Sequence, residues 1–458
     1  MNSEEKPIGS DEAGGGLAKA LGVGVLSTAA FAVLAHGAVE PWSAWACQLL
    51  TAALVLIWIV KAVRDRCVSI TVPGPVIPLA ALTCVAALQS IAVRKSDGSL
   101  LSLSVDVEAT RGAALMLAFA LLASLMAATF IQGRAWWRLA ASSVVVFGFL
   151  LALFALLQHV FWNGAIYWLR PARAIAYGPF VNRNHFAGFI GMLAPTALSL
   201  ALMAPIRREL RALYLFAALF MALAEAVSVS RAGIMSLLAS SLMVIVCVKG
   251  SRREDESESS AKHRGRLVKL TLAAALLMIT AGGIVWIGAD PLLSRAAETM
   301  GAARGVSNIA SDPASFLSRE WIWKDAFAMF RANPVLGVGL GGFETAYPSY
   351  GHGNGRVVVD YAHNDYLQVL TDCGIAGAAL AGWFLFAVIR SIIAATRTRE
   401  PLLRAIAVGF GAGVVSMLVH SAFDFNLQIP SNGLTFLILV TLVSGIAGRT
   451  RQRAATGF

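Results

Sequence analysis

The chain has 458 residues, 57% of them hydrophobic and only 14% charged, with a mean hydropathy of +0.70. That composition excludes an ordinary water-soluble domain and points to a membrane-embedded one. The formal net charge of +11 does not imply nucleic acid, because most of the lysines and arginines fall in alternate connections and the two tails, the positive-inside pattern of a polytopic membrane protein.

A bilayer core needs about 20 apolar residues per helix. Twelve stretches qualify, at 17–36, 42–60, 72–93, 112–130, 139–160, 184–204, 211–229, 232–248, 268–288, 373–395, 403–422 and 431–447. Period-2 alternation is missing, so a β-barrel is not expected. The expected fold is an all-α polytopic membrane protein of about twelve transmembrane helices. Residues 1–288 would hold the first nine, 289–372 one large outer loop, and 373–458 the last three plus a tail. The polar, acidic start (Glu4, Glu5, Asp11, Glu12) makes a poor n-region for a cleaved signal, so the first span reads as retained. Twelve spans and the distribution of basic residues place both termini in the cytoplasm.

The five cysteines (Cys47, Cys67, Cys84, Cys247, Cys373) form neither a disulfide framework nor a zinc spacing and read as packing residues. Trp136, Trp137, Trp162 and Trp168 fall at expected membrane boundaries and read as interfacial anchors.

Four outward-facing connections carry chemistry. In Gly178-Pro179-Phe180-Val181-Asn182-Arg183-Asn184-His185, Asn182 is a fair N-cap and Arg183 falls at the helix start, where the backbone dipole also favours anions. At Ser230-Arg231-Ala232-Gly233 an arginine stands in a turn too short to leave the membrane. Glu225 just before it reads as the partner of an arginine or a hydroxyl within the bundle. The outer block 289–372 is too long for a simple connection. It contains an amphipathic helix with Arg319 in its first turn, and then the glycine-rich turn Gly337-Val338-Gly339-Leu340-Gly341-Gly342. That turn lacks the lysine and context of a phosphate loop, so its glycines are expected to let backbone pack closely on a helix.

The block ends in Tyr361-Ala362-His363-Asn364-Asp365-Tyr366, which sets a histidine, an amide and carboxylates at the mouth of an apolar helix. The last outward turn holds His420 and Asp424, with His420 ranked below His363.

Topology thus gathers Arg183, Arg231, Arg319, His363 and Asp424 at one membrane boundary. Arginine is a permanent, forked cation suited to phosphate. Histidine, with a reference pKa near 6.5, is suited to taking a proton from a hydroxyl. Departure of a diphosphate from a sugar carbon needs its charge neutralised and no general acid. No Asp-x-Asp pair or His/Cys cluster suggests a catalytic metal, and no cofactor is called for. The reaction these residues suggest is metal-independent glycosyl transfer from a lipid diphosphate, inverting if displacement is a single step.

Taken together, Phe180 to Ala187, Ser230 to Gly233, Arg319 to Trp323, Asn333 to Gly341, Ala362 to Leu367 and His420 to Phe425 resemble the O-antigen ligase and O-antigen polymerase superfamily of bacterial envelope enzymes. The resemblance spans roughly 178–432. It implies a C-type glycosyltransferase-like membrane fold in the bacterial inner membrane, with the active site facing the periplasm. It also implies a polyprenyl-diphosphate-linked glycan donor and, as acceptor, the lipid A core or another lipid-linked glycan. The implied roles are donor diphosphate binding for Arg183, Arg231 and Arg319, acceptor activation for His363, and support from Asn182, Asn364, Asp365 and Asp424. Ligase is slightly preferred over polymerase. A flippase of the same lipid-linked glycan is the competing reading from another class.

Overall fold

The computed structural model describes residues 15–94, 100–172, 176–252, 316–351 and 358–456. The expected ninth span at 268–288, most of the charged linker 251–260, the first part of the outer block and the acidic start lie outside these residues.

Among the described residues ten helices are long and apolar enough to cross a membrane: α1 (Gly16–Leu34), α2 (Pro41–Asp65), α4 (Val107–Phe130), α5 (Gly133–Val160), α6 (Arg183–Met203), α7 (Arg208–Val227), α8 (Arg231–Arg252), α11 (Asp365–Thr396), α12 (Pro401–His420) and α13 (Pro430–Thr456). The third expected span forms only the fourteen-residue α3 (Val76–Gln89). Pro73 and Pro75 hold its approach out of a helix, and the chain turns at Ser90 into a two-stranded ribbon pairing Ala92–Arg94 with Leu100–Ser102. A second small ribbon pairs Ala165–Ile166 with Arg170–Pro171. The chain is therefore an all-α polytopic membrane protein, as its composition requires.

Helices α6, α12 and α13 are the most buried spans, and α6 and α12 are the central pair, flanked by α7 and α8. Their closeness follows from small residues. A Cβ added at Gly413 would lie 2.1 Å from the Met192 carbonyl oxygen, and one at Gly409 would lie 2.7 Å from the Thr196 Cα. In lipid, where apolar side chains gain little by facing protein rather than acyl chains, such close backbone approach is what joins helices.

The outer block contributes α9 (Phe316–Ala332) and the single-turn α10 (Phe343–Ala346). Ile322, Ala326 and Met329 recur at helical spacing and are buried against Val338, Phe343, Ala346 and Ala362, whereas Trp321 and Phe327 are exposed. The loop thus has a small apolar core of its own, closed on the residue preceding His363.

Helix α11 begins at Asp365, eight residues before the expected boundary at 373, and is broken at Gly374 (φ 60°, ψ −157°). The break frees Ile375 N–H and Ala376 N–H to bond the carbonyls of Pro334 and Val335, at 2.8 and 3.2 Å. The glycine-rich turn then zips along the first part of α11. Val338 N–H donates to Thr371 O (3.0 Å), Gly339 N–H to Asp372 O (2.9 Å) and Gly341 N–H to Asp372 Oδ2 (3.0 Å). A Cβ at Gly337 (φ 72°) would lie 2.4 Å from the Asp372 carbonyl carbon. These glycines serve backbone packing, the role read from their context.

Two sequence readings need correcting. Trp137, expected at the interface, is 1% exposed, because α5 turns that face inward against α13. Glu225 is fully buried, yet among the described residues neither carboxylate oxygen has a hydrogen-bond partner. It faces Gly191 and Gly233, so the expected salt bridge or hydroxyl hydrogen bond is not formed among these residues.

Candidate active site at one end of the bundle

The segment leading to His363 is held on both sides. Ala362 N–H donates to Gln368 Oε1 (2.7 Å), and Trp323 Nε1–H of α9 donates to Ala362 O (3.0 Å). Gln368 Nε2 in turn donates to both oxygens of Asp372, the residue that anchors the glycine turn. His363 itself adopts φ 49°, left-handed backbone that costs a non-glycine residue about 1–2 kcal/mol. The surrounding bonds over-determine that conformation. Asn364 follows as N-cap, its Oδ1 accepting from Tyr366 and Leu367 N–H at 3.0 and 3.1 Å.

The first turn of α11 is tied to the loop between α12 and α13. Asp365 N–H donates to Ser421 O (2.8 Å), Asp365 Oδ2 accepts from Leu427 N–H (3.1 Å), and Tyr366 Oη–H donates to Leu418 O (2.7 Å). The result is a contact from His363 Nδ1 to Asp424 Oδ1 at 3.3 Å. Asp424 is fully buried and His363 is 17% exposed, so the carboxylate lies beneath and the ring reaches the surface.

Arg319 completes this arrangement, donating to Phe423 O at 2.5 Å and standing 3.8 Å from Asp424 Oδ2. Burial alone would raise the Asp424 carboxyl, but the His363 hydrogen bond and the Arg319 charge outweigh it and hold the group well below the usual carboxylate range. Asp424 is therefore an anion at neutral pH. An anion at Nδ1 favours the tautomer that carries its proton there and leaves Nε2 with a free lone pair.

Phe425 links this centre to α6. The His363 and His185 rings both meet its ring edge-on, with centroids at 4.9 and 5.0 Å, and Tyr361 stacks on it at 4.4 Å. Asn432 Nδ2 donates to His185 O (3.0 Å) and Asn426 Oδ1 (2.8 Å), fixing the first turn of α6 to the same loop. Asn182 is the N-cap expected of it, its Oδ1 accepting Asn184 N–H at 2.8 Å.

Arg183 stands exposed at the first position of α6, and the half-buried Arg231 at the first position of α8. The two helix starts adjoin. A Cβ at Gly233 would lie 2.7 Å from Ala187 Cβ. Tyr177, close enough to Arg183 to feel its charge, donates its hydroxyl to Val227 O in the turn before Arg231 (2.9 Å). Two arginines thus stand at two neighbouring helix N-termini, where the helix dipoles add to their positive charge.

The catalytic and binding residues expected from the sequence thus fall at one end of the bundle. His363, Asp424 and Arg319 are grouped together, Asp365 and Asn364 seat the loop, and α6, which carries Arg183 at its start and adjoins the start of α8, meets them through His185 and Phe425. Sequence reasoning gave no role to Phe425, Trp323 and Gln368, and missed Gln89. The glutamines did leave a signal, being amides in otherwise apolar runs. Gln89 Nε2 donates to Leu336 O and Asp372 O (2.7 and 3.1 Å), and its Oε1 accepts Leu340 N–H (3.1 Å).

Residues 216–382 match the family Wzy_C, described as O-Antigen ligase. The match runs from α7 into α11 and takes in Arg231, Arg319 and His363, while Arg183 and Asp424 fall outside it. It upholds the O-antigen ligase and polymerase superfamily resemblance drawn from the motifs. Among curated proteins none matches the chain.

Proposed function

We propose that this chain, with its O-antigen-ligase-type segment, is a membrane glycosyltransferase moving a glycan from a polyprenyl-diphosphate donor to an acceptor hydroxyl. The lipid A core is the preferred acceptor. The observation that carries the proposal is the His363–Asp424 contact at 3.3 Å beside two arginine-bearing helix starts. His363 Nε2 takes the acceptor proton as the acceptor oxygen bonds to the anomeric carbon. The bond from that carbon to the diphosphate breaks, and its electron pair leaves on the diphosphate. Arg183 and Arg231 neutralise that charge, so no proton and no metal is required at the leaving group. Asp424 stabilises the imidazolium that forms. Arg319 holds Asp424 and the 423–424 backbone, and adds its positive charge to the end of the bundle where the diphosphate binds.

The basic residues toward the opposite end of the bundle support an inward placement of both termini and an outward, periplasmic placement of His363 in the bacterial inner membrane. The test is transfer by purified protein in detergent, with lipid-linked glycan and either lipid A core or a second lipid-linked glycan as acceptor. Gain of mass on the core supports a ligase, and gain on the lipid-linked glycan supports a polymerase. A typical general base contributes about 10²–10⁴-fold. His363→Ala should lose activity on that scale, and an unaffected rate would remove the mechanism. A flippase would move donor across vesicles without forming any new glycosidic bond.

A further inference from the structure

At the other end of the bundle lies a second basic site. A cavity of about 640 Å³ opens between the approach to α3, the α4–α5 turn, α11 and α13. Arg390 lines it from α11, and Arg449 and Arg451 line it from α13. Helix α13 runs about 29 Å from Pro430, at the His363 end, to Arg449, at 1.5 Å per residue. The cavity is therefore one bilayer core away from His363, at the opposite leaflet.

Three features of the cavity point to a ligand. No carboxylate lines it, and among the described residues neither Arg390 nor Arg451 has an ion-pair partner. Arg449 pairs with Glu400, at 3.5 Å. The lining also includes Trp137, a tryptophan 1% exposed whose Nε1–H has no acceptor, and an unpaired buried donor implies a missing partner. Finally, the side toward the lipid is apolar and exposed, with Trp383 48% and Phe386 59% accessible. Space is left at Gly74, Gly133 and Gly448, where an added Cβ meets nothing within 4 Å.

We propose that this cavity binds the phosphate headgroup of an anionic phospholipid, with the arginines on the phosphate and the acyl chains along Trp383 and Phe386. A free phosphate shares the first half of that chemistry but has no use for the apolar wall, which is why a lipid is assigned. By the orientation proposed above the lipid belongs to the cytoplasmic leaflet, where anionic lipids attract basic groups. The binding itself does not depend on that orientation.

Native mass spectrometry of the detergent-purified full chain tests this. The probes are dioleoyl phosphatidylglycerol, tetraoleoyl cardiolipin, dioleoyl phosphatidylcholine and inorganic phosphate. Saturable binding of the two anionic lipids, at least ten-fold tighter than phosphatidylcholine, is expected. Each arginine near a lipid headgroup is worth about five-fold in affinity. Arg390→Gln with Arg451→Gln should therefore weaken phosphatidylglycerol by about 25-fold. Gly448→Leu, a helix-compatible change that fills the space, should weaken it comparably, and His363→Ala should not change it. Equal binding of anionic and zwitterionic lipids, or parental binding by both the double variant and Gly448→Leu, overturns the proposal. Displacement of the lipid by millimolar inorganic phosphate overturns the assignment to a lipid.

Discussion

Asp424→Asn removes one charge and almost no volume. In the folded protein Asp424 accepts Phe425 N–H at 2.9 Å, faces His363 Nδ1 at 3.3 Å and stands 3.8 Å from Arg319. An asparagine keeps the first contact through its Oδ1. It loses the charge assistance toward His363, and its Nδ2 donor faces a cation. A hydrogen bond to a charged group is worth about 1.5–3 kcal/mol, and this one is recovered in the transition state, where the ring becomes a cation. That range corresponds to about 10–150-fold in kcat. Leaving the guanidinium without its carboxylate is a separate effect, a loss of stability of about 3–5 kcal/mol for a broken buried pair. The assay is therefore glycan transfer normalised to monodisperse protein, with thermal unfolding alongside.

The decisive comparison is the double variant. If Asp424 works through His363, Asp424→Asn should matter little once His363→Ala is present. A full multiplicative loss in the double variant, or transfer by Asp424→Asn within two-fold of the parent, would refute the coupling.

Arg183→Lys and Arg231→Lys keep the charge and lose the planar fork, so each should lower kcat/KM for the donor by about 10–100-fold. Parental rates in both would remove the diphosphate assignment. Gly374→Ala should destabilise the protein by about 2–5 kcal/mol, since its backbone conformation is closed to other residues and a Cβ would lie 2.4 Å from the Val335 carbonyl carbon. An unchanged melting temperature would contradict the strap described for 334–341. The pH dependence has a definite sign. Because folding depresses Asp424, its contribution is fully present above its unfolded value near 3.9 and is lost as pH falls through the folded value. The stability gap between parent and Asp424→Asn should thus be constant at neutral pH and narrow only in strong acid. A gap that narrows between pH 8 and 6 would place the relevant titration elsewhere.

Hydropathy and charge fixed the architecture because lipid imposes one rule on every segment: satisfy the backbone internally over about 20 residues. The same rule explains the misjudged third span. Its hydropathy is sufficient, but prolines before it and Gln89 at its end confine the helix to fourteen residues. The connections with chemistry were also legible, since Arg183, Arg231, Arg319, His363 and Asp424 are conspicuous in apolar surroundings. Which of them touch was not. Asp424 is 61 residues from His363 along the chain and meets it only because Asp365 and Tyr366 bond the end of α12 and the residue after it. Trp137 and Glu225 were misplaced for a related reason: hydropathy tells how deep a residue sits in the bilayer, but not whether its face of the helix meets lipid or protein. The sequence alone determined the membrane, most of the spans and the residue types gathered at one end. Only tertiary packing decided that a buried carboxylate lies under the histidine, and that a second set of arginines frames a cavity at the far end. Both depend on contacts between distant segments, and such contacts leave no periodicity to read.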